Sequence, residues 1–307
     1  MKNRRELIKQ TFNILLLAAA SLFLSHCNKS TDPFSNEDKQ TSNNESTQES
    51  TTNELDDIAT SILNSSPISG SPGRVTGALD DRFSCNGTTI VFSNVTTDKS
   101  AGTVTLTFPA DGCPDKKGNV RKGSIVIAWS GGRWFKVGSV HSVTLIDYSI
   151  NDVAISGSQT ETCTAFKELP LSVTWTITSN HKATWPDGSS ATRKVNKTRR
   201  WDHMASEDTY TVTNGTSGNY LAEGTNRHGS TFKIYITSPL IYLGSCAKAN
   251  KVFIPVKGEK VITAISSMGR SKSLTIDFGN GSCDNTYTVT SGTTVRTLTA
   301  KNDSSGD

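Results

Sequence analysis

An all-β, antiparallel fold is predicted for this chain on three observations. Its segments alternate apolar and polar residues with period two, they are rich in Thr, Val, Ile and aromatics, and turn signals recur between them. Thr103-Val104-Thr105-Leu106-Thr107-Phe108 puts its apolar residues on one face and its threonines on the other. The same pattern returns in Val173-Thr174-Trp175-Thr176-Ile177-Thr178, in Phe232-Lys233-Ile234-Tyr235-Ile236-Thr237 and in Tyr287-Thr288-Val289-Thr290. β-Branched and aromatic side chains suit a half-buried pleated surface, and period two is the signature of a strand with one dry face. Trp185-Pro186-Asp187-Gly188, Asn214-Gly215, Lys257-Gly258-Glu259 and Asn280-Gly281 read as turns. In these, proline presets φ, Asp bonds its own backbone and glycine takes φ > 0. The alternation does not choose between a sandwich and a curved open sheet.

The N-terminus reads differently. Lys2, Arg4, Arg5 and Lys9 form a basic head before the apolar run Ile14 to Leu24. That run is short for a membrane span, which needs about 20 apolar residues, and suits the core of a signal peptide. Leu24-Ser25-His26-Cys27 closes it and resembles the lipobox of bacterial lipoproteins, in which the cysteine is acylated. Residues 1–27 are therefore expected to be a lipoprotein signal with Cys27 as the lipidation site. Residues 28–57 are nearly all Ser, Thr, Asn, Gln, Asp and Glu and are expected to be a disordered acidic tether, because they offer too little apolar surface to offset their ordering entropy. The whole chain carries +4, the signal +3 and the tether −6, so residues 58–307 carry +7. A short helix-like stretch, Leu55 to Leu63, precedes two expected β-rich halves, 58–165 and 166–300, and a disordered tail, 301–307.

Five cysteines follow Cys27: Cys85, Cys113, Cys163, Cys246 and Cys283. Export permits disulfides, but spacing alone leaves many pairings open. An internal similarity narrows them. Leu106-Thr107-Phe108-Pro109-Ala110-Asp111-Gly112-Cys113 parallels Ile276-Asp277-Phe278-Gly279-Asn280-Gly281-Ser282-Cys283, and each has a cysteine upstream. This predicts Cys85–Cys113 and Cys246–Cys283, with Cys163 left over.

Thr184-Trp185-Pro186-Asp187-Gly188, a basic strand ending Arg199-Arg200-Trp201, Gly224-Thr225-Asn226-Arg227 and Ser238-Pro239-Leu240 follow one another in order. With the closing Asp277-Phe278-Gly279-Asn280-Gly281-Ser282-Cys283-Asp284-Asn285, this order resembles a family of uncharacterised Bacteroidota cell-envelope lipoproteins. The resemblance covers about residues 80–300. It implies an exported, lipid-anchored β protein at the outer membrane, facing the periplasm or the cell surface, and it carries no assigned activity.

The candidate binding site is the basic strand. Arg193, Lys194, Lys197, Arg199 and Arg200 fall within eight residues, flanked by Trp185 and Trp201. If Pro186-Asp187-Gly188 turns a hairpin, Trp175 faces Arg199 and Arg200. Exposed tryptophan stacks on sugars, and arginine pairs with carboxylate or phosphate. Trp185, Arg199, Arg200 and Trp201 are therefore the candidate ligand-binding residues. The plainer reading is an edge strand kept soluble by charge, with Trp175 and Trp201 in the core. Asp111, Asp115, Asp277 and Asp284 could offer oxygens to calcium, but their spacing fits no EF-hand loop and turns use such residues anyway. His141, His181, His203 and His228 are scattered, outside any HExxH motif, and no serine sits in a GxSxG elbow. No cofactor, metal or catalytic set is implied, and the modest charge argues against nucleic acid. The expectation is a lipid-anchored envelope protein, a non-enzymatic binding or structural module with an envelope polysaccharide as candidate ligand. A hydrolase on the same scaffold, or an adhesive protein with protein partners, is the alternative.

Overall fold

The computed structural model describes residues 85–300, apart from 116, 117, 133, 134, 251, 253, 267 and 268, together with seven positions between 45 and 62. Cys27, the signal and the tail 301–307 lie outside the described residues.

The described strands form one antiparallel sheet of fifteen, not a sandwich. In chain order they are β1 (Thr89–Ser93), β2 (Gly102–Thr107), β3 (Cys113–Pro114), β4 (Val120–Ser130), β5 (Val140–Ile150), β6 (Val153–Lys167), β7 (Ser172–Thr184) and β8 (Ser190–His203). They continue as β9 (Asp208–Asn214), β10 (Ala222–Thr225), β11 (Thr231–Leu243), β12 (Lys257–Ile265), β13 (Ser271–Asn280), β14 (Thr286–Ser291) and β15 (Thr294–Thr299). A short helix, α1 (Gly244–Asn250), follows β11. Almost every strand pairs with its neighbour in sequence. Between β8 and β11 the position is shared end to end by β10, opposite Thr192–Val195, and β9, opposite Lys197–His203. The predicted boundary between halves, at 165/166, falls inside the β6–β7 hairpin, so the sheet runs unbroken from one half to the other.

Local chemistry accounts for the turns. In Trp185–Ser189 the Gly188 amide donates to the Trp185 carbonyl (2.9 Å), Gly188 adopts φ +81°, and Asp187 accepts from the Ser189 amide (3.0 Å). Lys257-Gly258-Glu259, read as a turn, instead lies inside β12 as a bulge. The register shifts between Lys257 and Glu259, and Gly258 takes φ +110° so close to Pro239 that a Cβ would meet its carbonyl oxygen at 2.2 Å. The signal for positive φ was correct there, but glycine serves bulges and turns alike.

One face of the sheet is covered. In the N-terminal half it buries Ile90, Val104, Leu106, Ile125, Ile127, Val143 and Tyr148 against Leu55, Ile58, Ala59 and Ile62. In the C-terminal half it buries Val195, Phe232, Ile234, Leu240, Ile262, Leu274, Ile276 and Val289. Glu45, Glu49, Thr52, Leu55, Ile58, Ala59 and Ile62 are helical and recur every three or four residues, the spacing of one helix face. The first four fall within residues 28–57, the stretch expected to be tether. Glu45 and Glu49 are held in the fold by charge, which a hydropathy pattern does not register.

Both predicted disulfides are formed, Cys85–Cys113 and Cys246–Cys283, and Cys163 is a free buried thiol. They close loops with sequence separations of 28 and 37 residues. By loop-closure entropy each contributes about 3.5–4 kcal/mol. The internal similarity extends to packing: Phe108 lies against Tyr148 (6.0 Å) and Phe278 against Tyr287 (5.9 Å), each just before its half's second cysteine.

Candidate ligand-binding face

β8 is not an edge strand. It sits mid-sheet, paired with β7 along its whole length and with β9 and β10 on its other side. Period two therefore sorts its charges. Arg193, Lys197 and Arg199 project to the covered face, in line with Val195 and Trp201, while Lys194 and Arg200 project outward. Sequence proximity had grouped all five together.

The expected hairpin brings Arg199 opposite Trp175, and the guanidinium stands 5.4 Å from the indole centroid. Arg199 also pairs with Glu161 of β6, diagonally across β7. Arg200 stays 56% exposed and bonds Asp202 (2.7 Å). Trp185 is not part of this group. It lies at the far end of the hairpin, roughly 35 Å along the strand from Trp201. There Arg227 stacks 4.7 Å over its ring and pairs with Asp187, whose carboxyl is held down to about 2 by bonds from the Ser189 side chain and amide and from Arg227.

Trp201 is instead the centre of an aromatic ledge at one end of the covered face. Phe135 stacks on Phe166 (6.1 Å) and on Trp201 (5.9 Å), and Trp201 stacks in turn on Tyr210 (6.4 Å) and meets His203 (5.5 Å). β6, β8 and β9 supply Phe166, Trp201 and Tyr210, and the β4–β5 loop supplies Phe135. Phe135, Phe166 and Tyr210 remain exposed, and the adjoining turns add Met204 and Leu169, the latter 84% exposed. His203 Nδ1 lies 2.6 Å from Asp208 Oδ1 at the rim. The ledge thus offers open ring faces beside cationic and hydrogen-bonding groups. Of its rings, the sequence reading had singled out Trp201 alone. The others come from strands and a loop distant in sequence, and no local signal joins them.

Inward from the ledge the covered face turns polar between the two apolar cores. Gln159, Glu161, Ser179, His181, Arg193 and Lys197 are all buried there. Arg193 and Lys260, each 3% exposed, meet the helical glutamates. Arg193 grips Glu45 through two bonds (2.7 and 3.2 Å), and Lys260 lies 3.5 Å from Glu45 and also pairs with Glu49. Burial raises the Glu45 carboxyl above its ordinary range despite both cations. It raises Glu49 too, but Lys260 and Arg193 outweigh it there and hold Glu49 below that range. Burial together with the neighbouring Glu49 pushes the Tyr242 phenol well above its usual value.

Three of the four acidic candidates for calcium are otherwise engaged, and Asp111 is exposed. Asp115 pairs with Arg121 (2.7 Å) and accepts from the Asn119 amide (2.9 Å), and Asp277 and Asp284 bond the backbone of their own turns. Among the described residues no three His, Cys, Asp or Glu side chains come together as metal ligands. His141 and His181 are buried on the covered face and His228 is exposed in the β10–β11 turn. No helix among the described residues is long and apolar enough to cross a membrane. No protein-family model, curated protein or solved structure matches the chain.

Proposed function

We propose that this protein is a lipid-anchored cell-envelope lipoprotein of a Gram-negative bacterium, acting as a non-enzymatic binding module for an envelope polysaccharide. The observation that carries the reading is the row of stacked rings Phe166, Phe135, Trp201 and Tyr210, in which Phe166, Phe135 and Tyr210 are open to solvent around the half-buried Trp201, bordered by Arg199 and His203. Ring faces take the apolar face of a sugar, and the bordering groups take its hydroxyl or anionic substituents. The lipobox-like Leu24-Ser25-His26-Cys27 and the family resemblance support the envelope location, with Cys27 as the lipid-bearing residue. Two acyl chains make a stable anchor where one does not. A protein-partner role at the same ledge is the second reading, favoured by the exposed Leu169 and Met204 beside the rings.

A polysaccharide panel read by intrinsic tryptophan fluorescence on the full-length chain tests the proposal. A ligand should quench saturably. Trp201→Ala should weaken it about 30-fold, the ~2 kcal/mol of a central aromatic contact. Trp185→Ala, at the far end of the hairpin, should leave affinity within about twofold. Equal losses from both variants, or a panel without any response, would remove the ledge as a glycan site.

A further inference from the structure

The apolar side chains left in the open are sorted between the two ends of the sheet. Because neighbouring strands alternate in direction, the β1–β2, β4–β5, β6–β7 and β8–β9 loops follow one another along one end. They carry Val95, Phe135, Val137, Leu169 and Met204, all exposed. Among the described residues these five are the only exposed large apolar side chains outside the strands. At the opposite end the chain turns on polar residues, such as Asp187 with Gly188 and Asn226 with Gly229. We propose that the apolar end docks on the lipid bilayer that carries the protein, its five side chains dipping to the boundary between headgroups and acyl chains. The inference rests on the lipid-anchored reading above and names the surface on which the sheet stands.

Three features support it. Apolar side chains gathered on one surface mark an interaction site, whereas singly scattered ones do not. The chain between Cys27 and the fold also has the reach. Glu45 meets Arg193, which lies ten residues along β8 from His203 and so about 33 Å from this end. The seventeen residues between Cys27 and Glu45 span up to about 60 Å when extended, so an acyl-bearing Cys27 and these loops can meet the same membrane. The depths agree as well. Trp201 lies three residues in from Met204, about 10 Å, on the scale of a headgroup layer. Tryptophan and tyrosine favour that layer, and irregular backbone stays out of the hydrocarbon beneath it. The rings of the ledge then stand among headgroups, so a glycan stacked on them is one presented at the bilayer surface.

Fluorescent thiol labels read by iodide quenching test this on the full-length lipidated chain in phosphatidylcholine vesicles. Leu169→Cys and Met204→Cys place a label at the apolar end, and His228→Cys places one in the β10–β11 turn at the far end. Cys163 is buried and Cys85, Cys113, Cys246 and Cys283 are paired, so these labels are specific. Iodide should quench the labels at 169 and 204 about threefold less than the label at 228, because ions stay out of the bilayer. Val137→Glu with Leu169→Glu should bring quenching at 204 to within about 1.5-fold of that at 228, because charged loops do not enter. Equal quenching at all three positions would overturn the docking, whether or not the chain stays on the vesicles in alkaline carbonate. Release by carbonate of a chain whose labels at 169 and 204 were protected beforehand would remove the lipid anchor and leave the docking standing. Protection that grows with the ratio of protein to lipid would assign the loops to a second copy of the chain and overturn the bilayer. A polysaccharide that quenches Trp201 while all three labels stay open would keep the glycan site and end the docking. Protected labels with no response to any polysaccharide would do the reverse.

Discussion

A chain truncated to begin at residue 58, where composition places the start of the globular part, should lose about 5 kcal/mol of unfolding free energy relative to the full chain. Three losses combine. Leu55, 1% exposed in the N-terminal core, goes, and removal of a buried leucine typically costs about 2–5 kcal/mol. Arg193 and Lys260 lose Glu45 and Glu49, and the covered face of β8 and β12 keeps two cations without those partners. Ile58, Ala59 and Ile62 remain, but a helix cut to its last turns is below the length at which helices hold themselves, so these core contacts loosen as well. Urea unfolding of the two chains checks the result. A difference below about 1 kcal/mol would show that the segment before residue 58 adds nothing to the fold. A truncation beginning at residue 40, which retains both glutamates, should match the full chain within about 1 kcal/mol.

That expectation marks where the sequence was legible and where it was not. Strands at 103–108, 173–178, 232–237 and 287–290 could be read because a half-buried strand leaves a period-two mark within six residues. The disulfides could be read because the two Phe-to-Cys strings resemble each other. What failed shares one cause: the deciding contact joins residues far apart in sequence. Glu45 looked like tether because its neighbours are polar, yet Arg193 and Lys260 lie 148 and 215 positions away. Trp185 and Trp201 looked like two sides of one patch because only fifteen residues separate them, yet the fourteen-residue β8 carries them to opposite ends of a hairpin. The basic run looked like an edge because edges are often charged, whereas β8 is central and divides its charges between two faces. Open sheet against sandwich turned on the same kind of information, the pairing of β6 with β7 across the boundary between the halves.

Acid should test a second buried ion pair. Asp115 and Arg121 are 4% and 1% exposed, and Asp115 also accepts from the Asn119 amide and side chain. Burial raises the Asp115 carboxyl, but the bond from Arg121 and those from Asn119 outweigh it and hold it below the ordinary carboxylate range. A carboxyl whose pKa is depressed by folding contributes stability that is present above its unfolded value, about 3.9, and is lost as pH falls through its folded value. Asp115→Asn should therefore cost about 3 kcal/mol at pH 7, where it breaks a buried ion pair and leaves Arg121 without its carboxylate. The gap to the parent should narrow as pH falls below about 4, because the parent loses the same charge by protonation. Glu45, raised, and Glu49, depressed, titrate alike in parent and variant, so their contribution cancels from the gap. Urea unfolding of parent and variant at pH 7, 4 and 2 reads the gap. A gap that persists unchanged to pH 2 would mean that Asp115 acts through the shape of its turn, as asparagine also could, and not through its charge on Arg121.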